Sequence, residues 1–339
     1  MKSNKSYFIG MIATLAFLFL GVSSCKKETV DEVPDFSQTF KNVAVTPITV
    51  TSPAATTYTA GSVSTPPTVA AAAAALTLGN TTPELQAAAS KVDTNAAKSI
   101  ATGVTSALAD IKAGKALPAA LATNVKTLIA SGAANAFLAT LTKPTVDGKA
   151  IGGRTGGNPG SNVAKPEVEM ASIANACNDA IKLAFDNAKK GLDDGKAAEI
   201  AKIKAAYDNN IKAADVAADK ATALTLKTQN LAVALSLFNT AYDGLNAALT
   251  AKKITQSQYN IFVAIMISIY QDTVNNYEAL YSATIAALDA KAKAITDKAK
   301  AASDADTKKV TDEYNTQLAA ITKTYTDENI KCHNQGGGN

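Results

Sequence analysis

Between Ile203 and Leu249 the apolar positions hold a seven-residue repeat. It runs through Ile203, Tyr207, Asn210, Ala214, Ala217, Ala221, Leu224, Thr228, Leu231, Leu235, Phe238, Tyr242, Leu245 and Leu249. Most of these are apolar, which is the a/d seam of a coiled-coil helix. The repeat stops at Lys252-Lys253-Ile254. Thr255-Gln256-Ser257-Gln258 then forms a capping box, with Thr255 positioned to take an orphan N–H and Gln258 to reach back. A second helix is expected from there, since Thr255 to Gln335 contains neither Gly nor Pro. Its stripe passes through Val274, Tyr277, Tyr281, Leu288, Ala292, Ile295 and Ala299, then Val310, Tyr314, Leu318, Ile321, Tyr325 and Cys332. The step from Ala299 to Val310 spans eleven residues, which a continuous helix absorbs by a local change of supercoil. A break at Ser303, with Ser303 to Asp306 capping a new helix, is the competing reading.

The expected body is therefore all-α: a long antiparallel, coiled-coil-like helical hairpin over residues 166–332, turning near Lys253-Ile254. Cys177 and Cys332 are equidistant from residues 254–255, so a disulfide between them would close the open end. Arms of this length reach on the order of 110 Å at about 1.5 Å per residue. Gly191 and Gly195 are the weak points, costing about 1 kcal/mol each inside a helix and marking where the first arm would bend.

One segment departs from the two-sided pattern. Tyr259 to Tyr270 is apolar on every face, with Ile261, Phe262, Ile265, Met266 and Ile269 distributed around the helix. Such a helix needs cover on all sides. It is the candidate interaction or insertion segment. Either the Ala-rich helices upstream wrap it into a head, or it enters a membrane as the apolar hairpins of helical pore-forming toxins do. It is shorter than the roughly 20 residues that span a bilayer, which favours the head.

The upstream chain divides by composition. Lys2 and Lys5 precede an apolar run from Tyr7 to Leu20, too short for a span and right for a secretory signal. The run ends in Val22-Ser23-Ser24-Cys25. This resembles the lipobox of bacterial lipoproteins, and the resemblance covers residues 1–25 only. It implies cleavage after residue 24 and lipid on Cys25, with acyl chains enough for stable anchoring. Residues 25–82 are rich in Thr, Ser, Pro and Val and are expected to form a disordered tether. Within it Val43 to Val50 alternates weakly, and Ala70 to Leu78 is a short helix stopped by Gly79. Residues 83–142 form a small Ala-rich helical module that starts at Thr82-Pro83 and is punctuated by Gly114, Pro118 and Gly132. Residues 143–165 are a Gly-rich linker, and residues 333–339 a disordered tail.

Charge and chemistry narrow the function. Removing residues 1–24 takes Lys2 and Lys5 from 33 basic side chains, leaving 31 against 29 acidic ones, a net of +2. Arg154 is the only arginine. Neither a basic field nor Arg forks are present for nucleic acid. With Cys25 acylated, the two remaining cysteines suit a disulfide in an oxidising compartment. His333 is the only histidine, which leaves no His-rich metal site and no triad. The G-x-H-x-x-E motif of imelysin-type exported lipoproteins is absent. Asp193-Asp194-Gly195 with Glu199 lacks the alternating acids of a calcium loop and is expected to be a solvated helix-breaking turn. Asp304 and Asp306 are expected on a solvated face or a cap. The tyrosines recurring on the seam fill the core or form an aromatic binding stripe. No cofactor or metal is implied. The expected protein is a non-catalytic, lipid-anchored module of the cell envelope, the outer membrane in preference to the inner. It would be a spacer or helical head with an unidentified protein partner. Membrane insertion by residues 259–270 and small-ligand binding are the alternatives.

Overall fold

The computed structural model describes residues 35–151 and 176–334. The lipobox with Cys25, the start of the expected tether, the glycine run within 152–165, the Pro166 start of the first arm and the tail 335–339 lie outside the described residues.

The fold is mostly helical. Two short strands, β1 (Tyr58–Thr59) and β2 (Ser62–Ser64), precede four helices: α1 (Pro67–Thr77), α2 (Pro83–Ala89), α3 (Thr94–Lys112) and α4 (Ala119–Ala130). Three more short strands follow, β3 (Thr140–Thr142), β4 (Thr145–Val146) and β5 (Lys149–Ala150), and then α5 (Ala176–Ile211), α6 (Ala217–Thr250) and α7 (Gln256–Asn334). β1 pairs with β4, β4 with β5, and β2 with β3, all antiparallel.

Helix α7 is the spine. Its 79 residues extend about 120 Å at 1.5 Å per residue. The capping box forms as expected: Gln258 N–H donates to Thr255 Oγ1 at 3.2 Å, and Thr255 N–H to Gln258 Oε1 at 2.9 Å. From this end α7 runs back along α6 and then α5. Lys220–Asp289, Lys291–Asp219 and the Tyr314 hydroxyl on Asp193 join residues nearly equidistant from the Ala251–Thr255 turn. Cys177 and Cys332 form a disulfide with Cα atoms 5.8 Å apart.

The expected first arm is corrected in two places. It is interrupted at residues 212–216, where a 3-10 turn at Lys212–Ala214 leads into extended Asp215. Beyond it Ala217, Ala221, Leu224 and Thr228 of the expected seam are exposed, Leu224 by 49%, whereas Phe238, Tyr242 and Leu245 of the same seam are buried. Conversely, α5 passes through Gly191 and Gly195 without stopping, so the sequence 193–195 is not a helix-breaking turn. Asp193 receives the Tyr314 hydroxyl at 2.6 Å, and Glu199 is buried, accepting from the Ile48 N–H at 3.3 Å. The pairing of Asp193 and Asp194 with Lys189 and Lys190 follows the i, i+4 rule.

In α7 the expected eleven-residue step disappears. Ala299, Ser303, Asp306 and Val310 keep heptad spacing along one unbroken helix, and Asp306 occupies the seam position fully buried. The solvated reading holds for the exposed Asp304, which pairs with Lys300, and fails for Asp306. A single polar residue at a seam position hides a continuous stripe from an apolar count.

The tether is corrected from residue 35 onward. Phe36, Phe40 and Val45 are buried against α5 and α7 with Ile181, Leu192, Val310 and Ile321. Phe40 meets Phe185 edge-on at 6.2 Å, and Phe185 packs on Tyr325 at 4.8 Å. The weak alternation from Val43 to Val50 is real, since Val43, Val45, Ile48 and Val50 all pack inward, but against helices and not into a sheet. Residues 35–57 thus form a strap along the α5–α7 pair. In the helical module, α2 and α3 are separated at Asp93, whose carboxylate caps α3 by accepting from the Asn95 and Ala96 N–H groups. Past Gly132 the module ends in a 3-10 turn at Asn135–Phe137 followed by β3, and part of the expected linker is β4 and β5.

Helices α1 to α4 cover α7 where it is apolar all round. Phe262 to Tyr270 are buried without exception, among Leu76, Leu85, Ile100, Val104, Val125 and Phe137. Ser268 sits in this core with its hydroxyl donated to the Ala264 carbonyl at 2.8 Å. Helix α1 lies so close to α6 that a Cβ on Gly244 would stand 2.6 Å from the Leu76 carbonyl oxygen. Around Gly191 nothing lies within 4 Å of such an atom. Two Gly→Ala changes should therefore move stability in opposite directions. Gly191→Ala is expected to raise the unfolding free energy by about 1 kcal/mol through helix propensity. Gly244→Ala is expected to lower it by about 1–3 kcal/mol through overpacking. Urea unfolding followed by circular dichroism reads both.

Candidate functional site

Below the head, α6 and α7 present two heptad-spaced faces to open space. On α6 these are Asp219, Ala223, Leu226 and Asn230, and on α7 Tyr277, Tyr281, Thr284, Leu288 and Lys291. Residues 217–233 of α6 include no buried side chain. The third wall is the extended segment through β1 and β2. A cleft of about 640 Å³ lies between the three, a volume within the range of small-molecule sites. Gly61 makes the wall possible. A Cβ there would fall 2.5 Å from the Thr142 carbonyl oxygen and 2.8 Å from Leu280 Cδ1, so only glycine allows this approach.

The strap holds that wall in place. Asp306 accepts from the Thr51 N–H at 2.6 Å, from the Thr51 hydroxyl at 2.7 Å and from Lys309 at 3.1 Å. Nearer the cleft, Asp147 accepts from the Thr57 N–H at 2.9 Å and from Lys298 at 2.8 Å, while Lys298 also donates to the Ala55 carbonyl at 2.9 Å. Burial pushes the Asp306 carboxyl up, but the Thr51 and Lys309 bonds outweigh it and leave it below its ordinary value. Lys298, followed by the Thr57 N–H, holds Asp147 low, and Lys202 with the Ile48 N–H does the same for Glu199.

Inside the cleft the charges are unequal in depth. Lys227 pairs with Glu278 at 2.7 Å, yet the lysine side chain is 21% exposed and the glutamate 48%. Lys291 and Asp219 repeat the pattern at 24% and 52%. Asp219 lines the cleft, whereas Glu278 does not. Lys227 lies over the Tyr281 ring at 4.9 Å and Lys291 over Tyr58 at 5.6 Å, each an attraction between a cation and the ring face. Burial first, then Asp219, raises the Tyr58 phenol, which is hydrogen-bonded to Thr284 and stays neutral at physiological pH. Leu226, 52% exposed, lines the cleft, and Val233, 59% exposed, lines the slot beside it. A narrow apolar slot shares Asn230 and Tyr277 with the cleft and leads to Met266 and Ile269 of the head core.

The residues singled out from sequence are distributed differently. Phe262, Ile265, Met266 and Ile269 are buried in the head, and Ile261 is half-buried. Tyr242 packs with Phe238 in that core and Tyr325 with Phe185 on the stalk, whereas Tyr277 and Tyr281 line the cleft. The aromatic stripe thus serves both packing and a cavity. Sequence reasoning missed Tyr58, Lys227 and Asn230. Asn230 shares the phase of Asp219, Ala223 and Leu226, two residues on from the assumed seam, Lys227 precedes the seam position Thr228, and Tyr58 sits in what read as a tether.

No protein-family model, curated protein or solved structure matches the chain. Among the described residues, no helix is long and apolar enough to cross a membrane, and no group of three His, Cys, Asp or Glu is placed to hold a metal ion.

Because Asp306, Asp147 and Glu199 have folded-state pKa values below their ordinary 3.8, 3.8 and 4.5, their contribution to holding the strap is present above those values. It is lost as pH falls through the lower, folded-state values. Amide exchange at Thr51, corrected for its intrinsic pH dependence, should be protected at neutral pH and accelerate only under strongly acidic conditions. Asp306→Asn should accelerate it at pH 7 by about tenfold or more, the loss expected for a charge-assisted bond.

Proposed function

We propose that this chain is a lipid-anchored cell-envelope lipoprotein that works without catalysis. It is a spacer that carries a binding head and its cleft away from the membrane. The observation that supports this reading most is the course of the strap. Asp35 and Phe36 enter at the Cys177–Cys332 end of the α5–α7 pair, at most about 35 Å of extended chain from Cys25. The disulfide end is then the one near the bilayer, and the covered segment 259–270 is the distant one. In this reading α5 and α6 form one arm and α7 the other, an antiparallel coiled-coil-like hairpin whose length sets the reach.

Burial of Phe262 to Tyr270 favours a covered head over insertion, since insertion would require α1 to α4 to unwrap. The lining of the cleft, with hydroxyls, one amide, ammonium groups and aromatic faces, suits recognition.

The test uses vesicles that carry the processed protein and an acceptor dye at the headgroups. A donor attached through Lys323→Cys is expected to be strongly quenched, and one attached through Ser257→Cys to remain bright. Equal quenching at the two positions overturns the spacer. Cys25→Ser should release the protein from sedimenting membranes. Vesicle leakage that Ile265→Asp abolishes would replace the covered head with the inserting one.

A further inference from the structure

The cleft has one cation whose counter-charge lies outside it. Of the charged residues lining the cavity, Lys291 is paired from within by Asp219, whereas Glu278, the partner of Lys227, is half-exposed and lines a separate hollow beside Leu235 and Val274. An anion entering the cleft therefore meets the ammonium of Lys227, whose paired carboxylate lies 2.7 Å away but outside the lining, with Asn230 and Tyr281 lining the same space. The surroundings are apolar: Leu226, Leu280, Leu288 and Val63 line the same space, and the slot toward Met266 and Ile269 is more apolar still. Leu226 leaves about half of its surface in water in the absence of an occupant.

We propose that the cleft between α6, α7 and the β1–β2 segment binds an amphiphilic monoanion, a single anionic group on an unbranched or aromatic apolar body. The anionic group exchanges places with Glu278 on Lys227, and Glu278 is released to water, where its solvation offsets the lost pair. The apolar body covers Leu226 and Leu288. A cation finds in the lining only the Asp219 carboxylate, which Lys291 already pairs, and has no such exchange open to it. A neutral headgroup gains the apolar burial and forgoes the charge-assisted bond. This deepens the recognition role given to the cleft and is independent of lipid anchoring and of the spacer.

The probes are decanoate, decyltrimethylammonium and decyl glucoside, which share a tail and differ in headgroup. They are titrated calorimetrically, below their micelle concentrations, into the full chain carrying Cys25→Ser. Decanoate is expected to bind with one-to-one stoichiometry and at least about tenfold more tightly than the other two. Lys227→Met should remove that preference. Lys220→Met, which deletes a cation paired with Asp289 outside the cleft lining, should leave it intact. Leu226→Asp, at an exposed position that the fold tolerates, should abolish decanoate binding with an unchanged circular dichroism spectrum. Equal affinity for the three headgroups, binding that survives Lys227→Met, or no decanoate binding overturns the proposal. Membrane sedimentation and donor quenching are read on the processed chain that keeps Cys25 and do not depend on these outcomes, so failure here is distinct from failure of the spacer.

Discussion

The constraint on which the rest of the structure depends is the covering of one helical segment. From Phe262 to Tyr270 every side chain of α7 is buried, and a helix without a polar face has no stable exposed state in water. A single partner helix shields one side only. Four short helices and α6 are needed, and the position of the head at the turn end of α7 follows. Ala dominates the covering helices, which lets them approach closely, as Gly244 beneath the Leu76 carbonyl illustrates. Each burial of a Phe or Ile side chain there is worth about 1.5–3 kcal/mol, so the head is the thermodynamically dense part of a long molecule.

Away from the head the interior thins. The seam of α5 and α7 is built from isolated large residues, Ile181, Leu192, Ile203, Val310 and Ile321, separated by Ala and polar side chains. Two helices with so little apolar area between them are poorly held by packing alone. Two further devices act there. The strap lays Phe36, Phe40 and Val45 into the groove as a third layer, fastened by buried carboxylates at Glu199 and Asp306. The disulfide closes a loop with a sequence separation of 155 residues, for which the chain-entropy account gives about 5 kcal/mol at most.

The cleft is a consequence of the same economy. Over residues 217–233 α6 buries no side chain, although the same helix buries Phe238, Tyr242 and Leu245 in the head. The β1–β2 segment closes the third side there without filling the space. Seam positions that would bury side chains in a regular coiled coil instead line a cavity. Tyr277 and Tyr281 are therefore both seam residues by spacing and cavity residues by position.

Helix content, the turn at residue 254, the capping box and the cysteine pairing were legible because each depends on local spacing. The 3.6-residue period, a cap at i and i+3, and two sulfurs equidistant from one turn survive without knowledge of any neighbour. The strap, the open face of residues 217–233 and the burial of Asp306 were not legible. A Thr- and Pro-rich segment has the same composition whether it lies in water or in a groove. A carboxylate at a seam position looks solvated until the Thr51 N–H that satisfies it is in place. The sequence by itself determined which segments are helical and that one of them needs cover on every side, because periodicity and hydrophobicity are properties of the chain alone. Only the tertiary structure decided where the N-terminal segment lies and that a cleft remains beneath the head, because both depend on which surfaces meet over distances of many helical turns.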